Sequence, residues 1–215
     1  MSIAVLEKQD RRQHLLDVAE KLFAKNGYEA VSIRQLASES GMNVAMVSYY
    51  FGSKEKLFEA LLEHKLPKTR AQLESLAKTD LSPWEKLSQT VELYVNKFFE
   101  GRDFHRIVTR EMSLRQRPEH VKLIIYHMGR NMEVVRGFIV EGQEKGIFRY
   151  VDLELTLTTL FATISTAISN TGLMCMMMKA ENEEQLYSEQ NKERITSHVK
   201  SVLQAHLLLP GASPV

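Results

Sequence analysis

Residues 32–58 constrain the fold of this chain most strongly, because they combine two helix starts with a turn glycine and small core residues. Ala37, Gly41 and Val47 stand where a helix-turn-helix needs a small, a turning and a core residue. Ala37 lets the second helix approach closely, Gly41 permits the positive φ of the turn, and Val47 anchors the second helix to the first. Such a unit lays its second helix in the major groove of DNA, so these residues predict DNA binding.

The composition of the whole chain favours helices over sheet. A chain of 215 residues with 44% hydrophobic residues can bury a substantial core, and its 10 Gly and 5 Pro are few. Apolar residues recur with a helical period, and alternating runs rich in Val and Ile are absent. We therefore predict an all-α protein.

Capping residues place the individual helices. An apolar stripe predicts a first helix over residues 10–25, Ser32 opens the second helix, and Asn43 and Ser53 cap the third and fourth. Further helices are predicted over 83–100, 104–115, 118–145, 155–178 and 195–207.

Residues 155–178 contain no charged side chain and are long enough to span a bilayer. Thr, Ser and Asn residues interrupt this stretch repeatedly, and no Lys or Arg flanks its start. We therefore predict one continuous helix that is buried between protein surfaces, and no membrane partner.

The net charge and the cysteine content indicate how the protein could contact DNA and which compartment suits it. The net charge is +1, and the first 66 residues hold equal numbers of basic and acidic side chains, so DNA contacts must come from local placement of charge. The single cysteine, Cys175, excludes an internal disulfide and suits a reducing compartment. Without a signal-peptide pattern at the start, a cytoplasmic location is expected.

The third helix is predicted to have one buried and one DNA-reading face. Val47, Tyr50 and Phe51 can pack inward, which leaves a short uncharged outer face of four residues: Val44, Ala45, Ser48 and Tyr49. The two apolar ones could meet thymine methyl groups, and the two hydroxyls could bond to base edges or phosphates.

Other polar residues are candidates for contacts beside that face. Ser32 stands at a helix start, where a phosphate can be held, and Arg34 could reach a guanine edge. Lys54 could hold a phosphate at the start of the fourth helix, and Arg11 and Arg12 could add backbone contacts.

Two stretches, residues 19–37 (AEKLFAKNGYEAVSIRQLA) and 47–57 (VSYYFGSKEKL), resemble the two halves of the signature of TetR/AcrR-type regulators. The resemblance implies a three-helix DNA-binding head that is joined through a fourth helix to a larger helical domain for effector binding and dimerisation. It also implies phosphate or base contacts by Ser32, Arg34, Asn43, Ala45, Ser48, Tyr49, Tyr50 and Lys54.

We accordingly expect a DNA-binding domain over residues 1–52, a ligand-binding and dimerisation domain over 53–209, and a flexible tail over 210–215. A lone head offers few contacts, and operators are usually read by two-fold dimers. The two C-terminal helices of each subunit could form a four-helix interface of a homodimer. Alternatively, both helices lie wholly inside one subunit's core.

Large, adaptable side chains in the middle helices suggest a chamber for an unknown small, largely apolar effector. The candidate lining residues are Phe98, His105, Met112, His127, Met128 and Phe161. The alternative is that these residues only fill a core.

An enzymatic function has little support in the sequence. A Gly-rich phosphate loop, a nucleophile elbow and a dense His/Cys cluster are all absent, so no cofactor and no metal are expected. His120 and His127 lie two turns apart, and a metal pair there is a weak possibility. The leading hypothesis is a repressor that binds a palindromic operator as a homodimer and is released by its effector. The rivals are a ligand-independent activator or chromosome-organising protein, and an enzyme that uses the helical domain.

Overall fold

The computed structural model describes the backbone of residues 3–209 and the side chains of residues 9–166 and 170–209, so the expected tail at 210–215 lies outside the described residues. Within residues 3–209 the regular elements are all helices, which confirms the all-α prediction, and one isolated antiparallel bridge joins Phe148 to Leu208. In chain order they are α1 Ile3–Asn26, α2 Ile33–Glu39, α3 Val44–Phe51, α4 Lys54–Ala77, α5 Pro83–Glu100, α6 Arg102–Leu114, α7 Pro118–Glu144, α8 Leu153–Ser169, α9 Thr171–Met178, α10 Glu183–Leu186 and α11 Glu189–Leu207.

The chain divides into two compact units. The first comprises the residues up to Lys68 together with Asp103–His127, and the second comprises Thr69–Arg102 together with the residues from Met128 onward. The first unit thus contains more of the chain than the 1–52 head expected from the sequence. The reason is the burial of the first half of α4, because Leu57, Phe58, Leu61 and Leu62 are fully buried in the same apolar cluster as α1–α3.

Local capping explains the short helices of the first unit. The Ser32 hydroxyl oxygen accepts a hydrogen bond from the Gln35 backbone N–H at 3.1 Å, and the Asn43 side chain accepts one from the Met46 N–H at 2.8 Å. Each cap satisfies a backbone donor that the helix start leaves unpaired. Gly41, between these helices, has a φ of +65°, which most residues with a Cβ rarely adopt.

The core of the first unit is closed by aromatic rings. Phe58 lies edge-on to Phe23 at 5.2 Å between ring centroids and to Tyr28 at 5.0 Å. Such geometry adds to the burial of the rings. It joins the end of α1 and the following turn to α4.

The second unit is built around α5, α7, α8 and α11. Its buried cluster includes Val91 of α5, Ile139 of α7, Ile164 of α8 and Leu203 of α11. The start of α5 is a full capping box, in which Ser82 and Glu85 exchange hydrogen bonds.

The prediction of one continuous helix over residues 155–178 is wrong. Asn170 has non-helical dihedrals (φ −105°, ψ 59°) and separates α8 from α9, whose axes differ by 87°. Asn170 and Gly172 both have low helix propensity, which favours a break here. Burial also differs from the expectation, because no residue of α9 is buried. In the described part of the chain no single helix could cross a membrane, although the bent pair α8–α9 has the length and composition to do so.

Candidate nucleic-acid interface

Helix α3 has the two faces that the sequence predicts. Val47 and Phe51 are buried, and Tyr50 is half-buried against the same core. On the opposite side Val44, Ala45, Ser48 and Tyr49 are exposed, and 70% of Tyr49 is accessible. The exposed side carries no charge, so it can enter a groove of DNA without removing an ion from water.

The two tyrosines of α3 are coupled. Their ring centroids lie 5.4 Å apart in an edge-to-face arrangement. Tyr50 is held by the core, and therefore it limits the positions available to the exposed Tyr49 ring.

Two of the residues expected to contact phosphate or bases, Ser32 and Asn43, lie at the starts of α2 and α3. Ser32 and Asn43 are exposed, and each uses its side-chain oxygen as an acceptor for its own cap. The Ser32 hydroxyl proton and the Asn43 amide N–H groups remain as donors toward an anion. Arg34, on the first turn of α2, is also exposed.

Lys54 is arranged differently from the other candidates. Its ammonium group donates hydrogen bonds to the backbone carbonyls of Tyr28 and Val31, both at 3.0 Å. Two of its three N–H donors therefore stabilise the turn between α1 and α2. A phosphate contact by Lys54 stays a prediction, and it would use the third donor.

Comparisons with known proteins decide the family. The model described as "Bacterial regulatory proteins, tetR family" matches residues 15–61, and that of the tetracyclin repressor-like C-terminal domain matches residues 80–169. The transcriptional repressor NicS of Pseudomonas putida is 32% identical over 150 residues, which cover 66% of this chain and 68% of NicS. The chain belongs to the TetR family. It is a ligand-responsive, DNA-binding transcriptional regulator of the repressor type.

Solved structures support the fold of this TetR-family regulator. A putative transcriptional regulator from Saccharomonospora viridis in complex with choline has a TM-score of 0.73 at 22% identity, covering 94% of this chain and 100% of that one. FadR from Bacillus subtilis in complex with stearoyl-CoA has a TM-score of 0.67 at 19% identity, covering 88% of this chain and 97% of that one. Family members bind operator DNA, dimerise and bind small-molecule effectors.

Beneath the α1–α2 turn of the regulator lies a buried ion pair that the sequence analysis missed. Arg117 donates from both Nε and Nη2 to the carboxylate of Glu111, which is 3% exposed, and its Nη1 donates to Glu29. The Arg117 guanidinium also lies 4.3 Å from the centroid of the Tyr28 ring. These contacts join the α6–α7 connection to the turn that precedes α2.

The electrostatics of Glu111 follow from this setting. Burial raises the pKa of its carboxyl group, but the neighbouring His120 and Arg117 favour the charged form more strongly, and the pKa lies below its usual value. Glu111 therefore stays ionised. No local sequence pattern links Glu111 or Arg117 to the α1–α2 turn, because Arg117 is far from Glu29 along the chain.

The effector candidates are divided between the two units. In the second unit Phe98 and Phe161 flank Tyr94, with ring centroids 6.2 and 4.8 Å from its ring, and Met128 is exposed. Burial raises the pKa of Tyr94, so its hydroxyl stays protonated. The structure thus brings two of the six candidates around one aromatic residue.

The other three candidates belong to the first unit. Met112 packs against its apolar core, and the His127 ring lies edge-on to Tyr126 at 5.3 Å. The Nε2 atom of His105 lies 3.4 Å from the Thr109 hydroxyl, and burial lowers the pKa of His105 to about 4. His105 is therefore neutral near pH 7.

Proposed function

We propose that this regulator binds a palindromic operator as a homodimer and is released by a small, largely apolar effector. The observation that carries the proposal is the arrangement of α3. Its inner face is locked into the core by Val47 and Phe51, and its uncharged outer face is accessible. A rigid helix with small outer side chains fits the major groove, where Ser48 and Tyr49 can bond to base edges.

A surface on α8 and α11 supports dimerisation. Residues 155–169 of α8 and 201–207 of α11 contain no charged side chain, and Leu155 and Val202 are 64% and 39% exposed. The two helices meet at a shallow depression lined by Thr159, Leu160, Thr163, Val199, Val202 and Leu203. Apolar surface of this kind is stabilised when a second copy covers it.

The Tyr94 cluster in the second unit supports an apolar effector. Phe98 and Phe161 offer ring surface to a ligand, and the Tyr94 hydroxyl is a neutral polar group beside them. The structural neighbours hold stearoyl-CoA in one case and choline in another, so the fold accepts both apolar chains and cations. The aromatic, uncharged surroundings of Tyr94 favour an effector with an apolar chain for this protein.

Helix α4 is the element through which an effector would act. Its residues up to Lys68 belong to the first unit, and those from Thr69 belong to the second. An effector releases the operator only if it binds the released state more tightly than the DNA-bound state. The DNA target and the single thiol support action in the cytoplasm.

Footprinting of the purified protein on DNA next to its own gene tests this function. The expected result is a protected pair of half-sites about 34–36 Å apart, or a multiple of that spacing. Tyr49→Ala should remove the protection, and Ser38→Ala, an exposed position on α2, should retain it. Reporter output then separates repression from ligand-independent activation, and protection without a preferred site would contradict the proposal.

A further inference from the structure

His120, at the start of α7 in the first unit, is buried without a hydrogen-bond partner. Its side chain is 1% exposed, and among the described residues neither ring nitrogen has a partner in hydrogen-bond geometry. The nearest carboxylate oxygens are those of Glu59, 4.0 Å from Nε2, and Glu111, 3.8 Å from Nδ1. A buried polar group left unpaired is unfavourable and rare in folded proteins, so this arrangement points to a missing ligand.

His120 and two glutamates of α4 lie close enough together to be candidate metal ligands. Glu55 and Glu59 lie one turn apart on α4, and one carboxylate oxygen from each lies with a His120 nitrogen within a mutual distance of 4.8 Å. Ligand atoms at a tetrahedral metal with bonds of about 2.1 Å are separated by about 3.4 Å. Glu55 is exposed and Glu59 is half-buried, so their side chains can close this difference without moving the helices.

A carboxylate also lies on the other side of the imidazole, 3.8 Å from Nδ1 and so just outside hydrogen-bond distance. Glu111 faces Nδ1 and is itself held in place by Arg117. A carboxylate on the far nitrogen of a metal-binding histidine fixes the tautomer and makes the ligating nitrogen more basic. Closure of the 3.8 Å gap on metal binding would hold the proton on Nδ1 and leave the lone pair of Nε2 free for the metal.

We propose that Glu55, Glu59 and His120 bind a divalent transition-metal ion of the zinc class, with water completing the coordination. One nitrogen and two carboxylate oxygens suit Zn²⁺ and its neighbours, whereas Mg²⁺ prefers oxygen ligands alone. The sequence predicts no metal, and the spacing within one helix relates His120 only to His127. The proposed ligands Glu55 and Glu59 lie on α4, more than sixty positions earlier in the chain.

The site has a direct consequence for the first unit. Glu55 lies in the first turn of α4, which follows the recognition helix α3 after Gly52. A metal bound by α4 and α7 would fix the start of α4, and through it the end of α3. Metal binding itself is independent of the proposed function, since it requires neither DNA nor effector.

Calorimetric titration of the chelator-treated full-length protein with ZnCl₂ tests the proposal. One saturable site per chain is expected, and Glu55→Gln and Glu59→Gln should each weaken it at least about 10-fold, since even the loss of a residue that only supports a ligand has an effect of that size. Glu63→Gln, at an exposed position one turn further along α4, is the matched control and should bind Zn²⁺ like the wild type. MgCl₂ should not compete.

The absence of saturable binding, or equal affinity of the Glu59 and Glu63 variants, would overturn the proposal. Equal affinity of the Glu59 and Glu63 variants is the result that adventitious binding at surface histidines would give. Binding of Co²⁺ provides a second, spectroscopic measurement, because a tetrahedral Co²⁺ site absorbs visible light strongly. That band should be absent from Glu59→Gln, and an unchanged band would also contradict the site.

Discussion

The ammonium group of Lys54 donates a hydrogen bond to the backbone carbonyl of Tyr28 at 3.0 Å and lies 4.2 Å from the centroid of the Tyr28 ring. The same ammonium donates to the Val31 carbonyl at 3.0 Å. Lys54 begins α4, and residues 28–31 lead into α2. A single cation therefore fixes the start of the helix-turn-helix to the helix that continues into the second unit.

Lys54→Met keeps the aliphatic stem but removes the charge and its donors. Two half-buried hydrogen bonds to the Tyr28 and Val31 carbonyls are then lost, so we expect the free energy of unfolding to fall by about 1–3 kcal/mol. Urea denaturation measures the change, with Lys56→Met, exposed on the same turn, as the control. Equal stability of the two variants would show that the contacts contribute nothing.

Removal of the Arg117 guanidinium should destabilise the protein strongly. Arg117→Met leaves the Glu111 carboxylate buried without its partner, and such a loss costs about 3–5 kcal/mol. Addition of Glu111→Gln to this variant should restore part of the stability, because no buried charge is then left unpaired. Lys122→Met, which removes an exposed ion pair with Glu119, is the control. Additive effects of the two substitutions would contradict a coupled pair.

The pH dependence of stability should contain a contribution from His105. Its pKa falls from 6.5 to about 4 on folding, so between these values the unfolded chain binds more protons than the folded one. The stabilising effect of the neutral ring is complete above pH 6.5 and is lost as the pH falls toward 4. His105→Gln should flatten the slope of unfolding free energy in that window. An unchanged slope would exclude this group as its source.

A charge on the α8–α11 surface should dissociate the homodimer. Val202→Glu places a carboxylate in the apolar face, and its burial between two copies would be unfavourable. Sedimentation equilibrium should show monomers for this variant and dimers for Ser197→Glu. Ser197 is exposed on the same helix, about 140° around its axis from Val202. A Val202→Glu protein that remains dimeric would place the interface elsewhere.

The local features of the fold followed from the sequence. The helix starts at Ser32 and Asn43 depend on hydrogen bonds between neighbours in the chain, and the two faces of α3 depend only on the helical period. Residue patterns of a few positions contain this information. The exposed, uncharged face of α3 was predicted for the same reason, and its contact with DNA stays a prediction.

Features that depend on distant residues did not follow from it. The contacts of Lys54 with the α1–α2 turn, the pair Glu111–Arg117 and the surroundings of His120 all join separate helices. A single sequence gives the spacing of residues within a helix but not the positions at which two helices cross. The break at Asn170 was not predicted for a different reason. The absence of charge in residues 155–178 suggested one continuous helix, although Asn170 and Gly172 both have low helix propensity.

The most direct test of the central claim is the affinity of the full-length protein for a duplex selected from random DNA, measured against unselected competitor. We expect the selected duplex to bind at least about 1,000-fold more tightly than the competitor at physiological salt. Tyr49→Ala should lose most of this preference, while Ser38→Ala retains it. If the wild-type protein bound selected and random duplexes equally, the exposed face of α3 would not be a DNA-reading surface.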